Sequence, residues 1–328
     1  MPLVSYQALR CIIEHIEANR RLLLSARCRK ISRIEKSAPL RIHHMWFMEN
    51  SVKINHMEHE VLLEDQKMEV SRSDKKPNKP LTLRLYNYRS QCTVKENFSR
   101  NYGVEEATRK VVDYLLGGRN KIRVKYLEVY RNAYKNIQYL FGRSNMKISV
   151  LTSLEMGLPD LHPIVEGPLK ELKFHVSHPR DFENPIVRTA EKIVVGNYEY
   201  DRPDIWLETH RNLPNKEVVI DTVIDGLNDT KILELIEYWR ETRKAVGSSF
   251  SLLKDNGNSI ETFLEKVKER FQGTYVKLKR TDKSISSKIN PVSIKIDSVS
   301  KIVIHGIPSR IWPTVLIKVV AVVASKEA

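Results

Sequence analysis

The sequence is short of cysteine, glycine and proline and has no long apolar run, and each shortage excludes a class of protein. Three cysteines in 328 residues, Cys11, Cys28 and Cys92, give neither an even disulfide framework nor a CxxC pair. Free thiols in that number point to a reducing compartment, cytosol or nucleus. Twelve glycines and fourteen prolines exclude a collagen-like or long low-complexity chain. The best candidate for a membrane span, Ile311 to Ala324, is short and broken by Pro313 and Lys318, so it reads as a buried C-terminal strand. The N-terminal residues lack the basic region and apolar stretch of a secretory signal, so no membrane association is expected. Acidic residues are outnumbered too: 40 against 55 Lys and Arg leave a net charge of +15. Such an excess suits nucleic acid or an acidic protein surface, and it also serves simply to keep a leucine-rich chain soluble.

Catalytic signatures are missing as well. There is no GxxxxGK[ST] phosphate loop, no GxGxxG after a strand and no GxSxG elbow. His56 and His59 are three apart, whereas a metal pair on one helix face needs a spacing of four. Cys11 and His15 have that spacing, but no short-spaced second pair completes a ligand set, and Cys11 falls beside an apolar helix face where it packs as a small hydrophobe. A non-enzymatic protein without cofactor or metal is the expectation.

What is present is periodic. Ser5 caps a helix carrying Leu9, Ile12, Ile13 and Ile16 on one side, Asn19 caps a second with Leu22, Leu23 and Leu24, and Ile31 and Ile34 mark a third. Residues 1–40 bury too little to stand alone and must lean on other chain or on a partner. Residues 41–116 are a mixed connecting region. They hold short strands at Val52–Ile54, Val61–Leu63, Met68–Val70 and Leu81–Tyr86, a charged loop at 71–80, and a helix over 104–116 that Gly117-Gly118 ends.

Over 117–328 an apolar pair two residues apart recurs: Leu127/Val129, Ile148/Val150, Leu172/Phe174, Ile193/Val195 and Val218/Ile220, with steps of 21, 24, 21 and 25 residues. Phe250/Leu252 and Val276/Leu278 continue the series after 32 and 26. Alternation marks strands, and Asp229 and Ser259 are placed to cap helices between them. The step leaves room for one strand and one short helix, as in leucine-rich repeats. An ordinary α+β domain with evenly spaced strands is the competing reading. Val292–Ile296, Ile302–Ile304 and Val315–Val323, with turn signals at Asn290-Pro291 and Gly306, suggest a terminal β-meander.

One stretch could bind a polyanion. Arg119, Lys121, Arg123 and Lys125 alternate with Ile122, Val124 and Tyr126, which in a strand puts four cations on one side. Such a basic patch can meet phosphates or a carboxylate-rich peptide, or can be a plain solvated face without interleaved aromatic rings. Lys277, Lys279, Arg280 and Lys283 form a second cluster.

Leu3-Val-Ser-Tyr-Gln-Ala-Leu-Arg-Cys-Ile-Ile-Glu-His-Ile-Glu, continuing to Cys28, resembles an F-box, the short helical module that docks onto the Skp1-type adaptor of a cullin ubiquitin ligase. With Arg27 to Arg41, Leu115-Leu-Gly-Gly-Arg119 and the spaced strands, the whole chain resembles a nematode-expanded family of F-box-like, F-box-associated proteins of uncharacterised function. The expected chain is α+β: by resemblance an F-box-like helical module at 1–40, and by strand spacing and turn signals a leucine-rich-repeat-like strand–helix array over 117–328, the F-box-associated part, closed by a C-terminal β-meander. The resemblance also implies a protein–protein interaction role, as substrate receptor of a Skp1–cullin-type ubiquitin ligase. Leu9, Ile12, Ile13, Ile16, Leu22 and Leu23 would then face the adaptor, and the remainder would hold a target protein. An adaptor-free scaffold and a basic nucleic-acid-binding protein are the alternatives.

Overall fold

The computed structural model describes residues 5–63, 81–98, 102–119, 121–130, 146–153, 165–198, 203–224, 227–254, 260–276, 290–307 and 312–322, with Ala133, Ile137 and Leu140 as single positions. The chain divides into two compact units, Met1–Glu155 with Pro159–Leu169, and Met156–Leu158 with Lys170–Ala328.

The first unit opens with three short helices, α1 (Tyr6–His15), α2 (Ala18–Arg27) and α3 (Arg29–Ser37). The Ser5 hydroxyl accepts from the Ala8 amide and starts α1. Glu17, not Asn19, caps α2, its carboxylate accepting from the amides of Asn19 and Arg20. Asn19 is instead buried and donates to the Ile54 carbonyl. Then come β1 (Leu40–Phe47), β2 (Ser51–Ile54), β3 (Met57–Leu63), β4 (Leu81–Asn87), β5 (Cys92–Asn97), α4 (Val104–Leu116), β6 (Ile122–Val129) and β7 (Met146–Ser153). Their order in the sheet is β7-β6-β1-β2-β3-β4-β5. β1 to β5 form an antiparallel meander, while β6 lies parallel to β1 and β7 parallel to β6. One face of this sheet, with Leu40, Ile42, Met45, Phe47, Ile122, Val124, Leu127 and Val129, is core. Helix α2 reaches β1 and α4 reaches β3, and Ala107, Val111, Val112, Leu115 and Leu116 of α4 are buried.

The second unit holds β8 (Glu171–Val176), a 3-10 turn (Pro179–Glu183), α5 (Pro185–Thr189), β9 (Lys192–Tyr198), α6 (Pro203–Arg211), β10 (Glu217–Ile220), α7 (Asp229–Glu241), β11 (Ser249–Leu253), α8 (Ile260–Phe271), β12 (Thr274–Tyr275), β13 (Val292–Lys295), β14 (Ser300–Ile307) and β15 (Thr314–Ala321). Strands β8, β9, β10 and β11 are successive parallel neighbours. β15, β14, β13 and β12 follow in antiparallel pairing. Asn228 rather than Asp229 caps α7. Leu172, Phe174, Ile193, Val195, Val218, Ile220, Phe250 and Leu252 are buried beside Trp206 and Trp239.

This overturns the expected α+β chain of a helical module followed by a leucine-rich-repeat-like array. The fifteen named strands are mixed parallel and antiparallel, seven in the first unit and eight in the second, and the N-terminal helices lie in the first unit with its strands. The apolar pairs from Leu127 to Leu252 do fall on β6 to β11, since strand spacing is a local property. The pairing beyond them is not repeat-like. β1 joins β6 in parallel from eighty-two residues upstream, and β15 closes on β11 antiparallel. A step length encodes one strand and one return segment and says nothing of which distant strand completes the sheet. Leu278 and residues 64–80, with the expected strand Met68–Val70 and the loop, lie outside the described residues, as does Ser259.

Gly306 is a correction of another kind. It sits inside β14, opposite Val315, not in a turn. A Cβ there would collide with the side chain of Ile260 at the start of α8. Glycine is therefore needed for the close approach of helix to strand. Gly306→Ala should cost about 1–3 kcal/mol by overpacking. Urea unfolding of Gly306→Ala, Ile260→Ala and the double variant checks it: Ile260→Ala removes the Cγ2 methyl that the new Cβ would strike, so the double variant should lose less than the sum of the two single losses.

Candidate functional site

The six side chains singled out on the N-terminal helices divide into two groups. Ile13 and Leu22 are core, and Leu9 and Ile16 are half-buried, Ile16 being the residue that ends α1. Ile12 and Leu23 project outward, 52% and 48% exposed, joined by Tyr6 at 56% and Leu24 at 40%. Cys11 is exposed rather than packed.

What holds these helices is a buried ionic network. Glu35 of α3 is fully buried, and its Oε1 accepts from Arg21 Nε at 3.1 Å and Arg119 Nη1 at 2.6 Å. Arg21 also donates to the carbonyls of Glu35, Ala38 and Pro39, and Arg119 to that of Leu115. Burial lowers the pKa of Arg21, and Glu35 opposes that shift. Two of the short helices, α2 and α3, are thereby tied to the end of α4 and the approach to β6.

Arg119 thus leaves the basic patch. Gly118 has φ +69, the left-handed conformation that glycine tolerates, and β6 begins only at Ile122. The turn sends Arg119 back into the core, 2% exposed, while Lys121, Arg123 and Lys125 stay at the surface. The structure replaces the lost cation with others from neighbouring strands. Arg41 of β1, Arg123 of β6 and Lys147 of β7 are direct register partners, so three cations stand in one row. With Lys125 and Ser149, and with Ile42 and Val124, they line an open depression of about 380 Å³.

The depression owes its shape to a slip in strand alternation. Ile42 and Met45, Val124 and Leu127, and Ile148 and Leu151 are three apart, yet all six are buried. Each strand therefore turns two successive residues to the open side: His43-His44, Lys125-Tyr126 and Ser149-Val150. All three slip at the same level, so the pairing register is the same on either side. Asn55 holds the slip in β1. Its side-chain oxygen accepts from the amides of His43 and His44 at 3.1 and 3.0 Å, and its amide group donates to Glu17, the cap of α2. Asn55 has φ +52, which asparagine accepts more readily than most residues.

Aromatic rings consequently stand among the cations, contrary to the sequence expectation. Tyr126 stacks on His44 at 4.7 Å and meets His43 edge-on at 5.3 Å, and Lys125 Nζ lies 4.9 Å from the Tyr126 ring. Burial lowers the pKa of His44, with His43, Lys53 and Lys125 adding to the shift against Glu128. Farther along the face, Lys53 Nζ sits over Trp46 at 4.0 Å and Tyr88 at 3.6 Å. The signal that finds this face is an apolar pattern at positions one, three, six and eight, shared by Leu40-Ile42-Met45-Phe47 and Ile122-Val124-Leu127-Val129. Sequence reading by pairs two apart passes over it.

Among the described residues no group of three or more His, Cys, Asp or Glu could hold a metal ion, and no helix is long and apolar enough to cross a membrane. The second basic cluster, Lys277 to Lys283, lies outside the described residues. Residues 103–255 match a domain of unknown function, DUF3557. The match opens at Gly103, the cap of α4, and closes just after β11, so it takes in the basic strand β6 and excludes α1 to α3 and β1. No curated protein and no solved structure shows significant similarity to the chain.

Proposed function

We propose that this chain is an interaction protein that docks through α1 and α2 onto a Skp1-type adaptor and offers the rest of its surface to a target, as a substrate receptor of a cullin-type ubiquitin ligase. The observation that carries the reading is the outward display of Ile12 and Leu23, beside Tyr6 and Leu24, on helices whose inner side is fixed by Ile13, Leu22 and the Arg21–Glu35–Arg119 network. A rigidly held apolar helical surface recovers area on entering a partner's groove at little ordering cost. The resemblance of residues 3–28 to an F-box names the partner. Catalysis in this reading belongs to the partner enzymes, and the target is a protein held away from α1 and α2.

Co-purification of the full chain with a purified Skp1-type adaptor tests it. Ile12→Asp with Leu23→Asp should lower retention at least tenfold while the chain still unfolds in a cooperative transition, because about half of each side chain is already exposed. Full retention by the double variant, or no retention by the unmodified chain, rejects adaptor docking and leaves an adaptor-free scaffold.

A further inference from the structure

The open side of β1, β6 and β7 carries cations that nothing among the described residues offsets. Arg41, Arg123, Lys125 and Lys147 are exposed, and none of them is in an ion pair there. The second unit treats its parallel strands differently. Lys192 stands between Glu171 and Glu217 at 3.3 and 3.5 Å, and Lys173 meets Asp221 at 3.3 Å. Burial alone would lower the pKa of Lys192, but its two carboxylate neighbours outweigh it and raise the value. One sheet neutralises its face, then, and the other stacks like charges in register at the distance between adjacent strands, an arrangement that opposes folding. Parallel strands are also ordinarily covered on both faces. Among the described residues nothing covers or neutralises this face, and an anion lying on it would relieve the repulsion.

We infer that this face binds single-stranded nucleic acid, with phosphates on Arg41, Arg123, Lys125 and Lys147 and a base against the Tyr126–His43 rings. Charge complementarity asks for a polyanion, and the rings choose among polyanions. To an acidic peptide Tyr126, His43 and His44 offer only hydrogen-bond donors, whereas to a nucleobase they also offer ring planes. A duplex keeps its bases stacked inside, out of reach of a flat sheet, whereas an unpaired strand offers both phosphates and ring planes. The slip at His43-His44, Lys125-Tyr126 and Ser149-Val150 brings rings and cations to the same level. The depression of about 380 Å³ beside them is of small-ligand size. Glu128, in register with Trp46, sits toward the other end of these strands, away from the row of Arg41, Arg123 and Lys147.

Fluorescence anisotropy of a labelled single-stranded twelve-nucleotide oligo(U) or oligo(dT) with the full chain tests this between 50 and 200 mM salt. Four phosphate contacts predict a log–log salt slope of about −3. Arg123→Glu with Lys147→Glu should weaken binding at least tenfold without loss of thermal stability, since both side chains are exposed and the reversal turns the Arg41–Arg123 repulsion into attraction. Tyr126→Ala should weaken it at least fivefold without changing the salt slope, and Tyr126→Leu keeps the packing if the alanine variant does not fold. Binding of a hairpin duplex as tight as the single strand, with Tyr126 variants unaffected, overturns the inference. So does a polyglutamate peptide that displaces the oligonucleotide more readily than unlabelled oligonucleotide does, or indifference to the double charge reversal.

Discussion

Glu35→Ala is expected to destabilise the first unit by about 3–5 kcal/mol, because it strands two guanidinium groups in the core. Arg21 is 1% exposed and Arg119 2%, and both direct a nitrogen to Glu35 Oε1. With the carboxylate gone, Arg21 still has the carbonyls of Ala38 and Pro39, whereas Arg119 has only that of Leu115. Most of the loss should therefore pass through Arg119. Arg119→Met on the Glu35→Ala background should recover part of it, with a coupling of about 1–3 kcal/mol in the double-mutant cycle. Urea unfolding of the four proteins measures this. Strict additivity would mean that the two residues do not interact as drawn. The consequence reaches the proposed docking surface, because the same network fixes α2, which presents Leu23. Glu35→Ala should lower adaptor retention under conditions where the protein still folds.

That network also shows what a sequence can and cannot convey. The helices at 6–37 and 104–116, and the strands at β6 to β11, were legible because their signals are local: a serine cap at Ser5, apolar spacing, a glycine pair after Leu116. Arg119 was misplaced because alternation was carried back through residues that precede the strand, and Gly118 turns the chain there. Its partner Glu35 is eighty-four residues away, and no local pattern connects them. The sheet order failed for the same reason, since the parallel pairing of Leu40 with Ile122 and the antiparallel pairing of Leu252 with Val315 are long-range facts. Part of the candidate face is legible in the sequence as Arg123 and Lys125. Arg41, His43, His44 and Lys147 join it only through the register of β1 and β7. On the N-terminal helices, periodicity identified a side but not its occupant: Ile13 and Leu22 face the chain's own core, and Ile12 and Leu23 do not.

The second large effect should appear on acidification. His210 of α6 is 2% exposed, stacked on Trp206 at 4.8 Å and edge-on to Phe182 at 4.9 Å. Its Nδ1–H donates to the Trp206 carbonyl at 2.7 Å. Burial depresses its pKa from 6.5 to about 4, against the opposing effect of that hydrogen bond. The unfolded chain therefore takes up a proton near pH 6.5 that the folded second unit refuses until about pH 4. More protons on the unfolded state mean that stability rises with pH across this window. The neutral histidine contributes fully above pH 6.5, and its contribution drains away between pH 6.5 and 4, roughly 3 kcal/mol in all. His59 of β3, also held down to about 4 by burial, gives the first unit an acid limb of the same sign. Urea midpoints taken from pH 7.5 to 4 should fall steadily, and His210→Phe should flatten the part that belongs to the second unit. That variant forfeits the bond to the Trp206 carbonyl, so it should start lower at neutral pH and lose less on the way down. Equal slopes for the variant and the unmodified chain would mean that His210 takes up its proton over the same pH range folded as unfolded, which its apolar surroundings of Trp206, Phe182 and Phe250 make unfavourable.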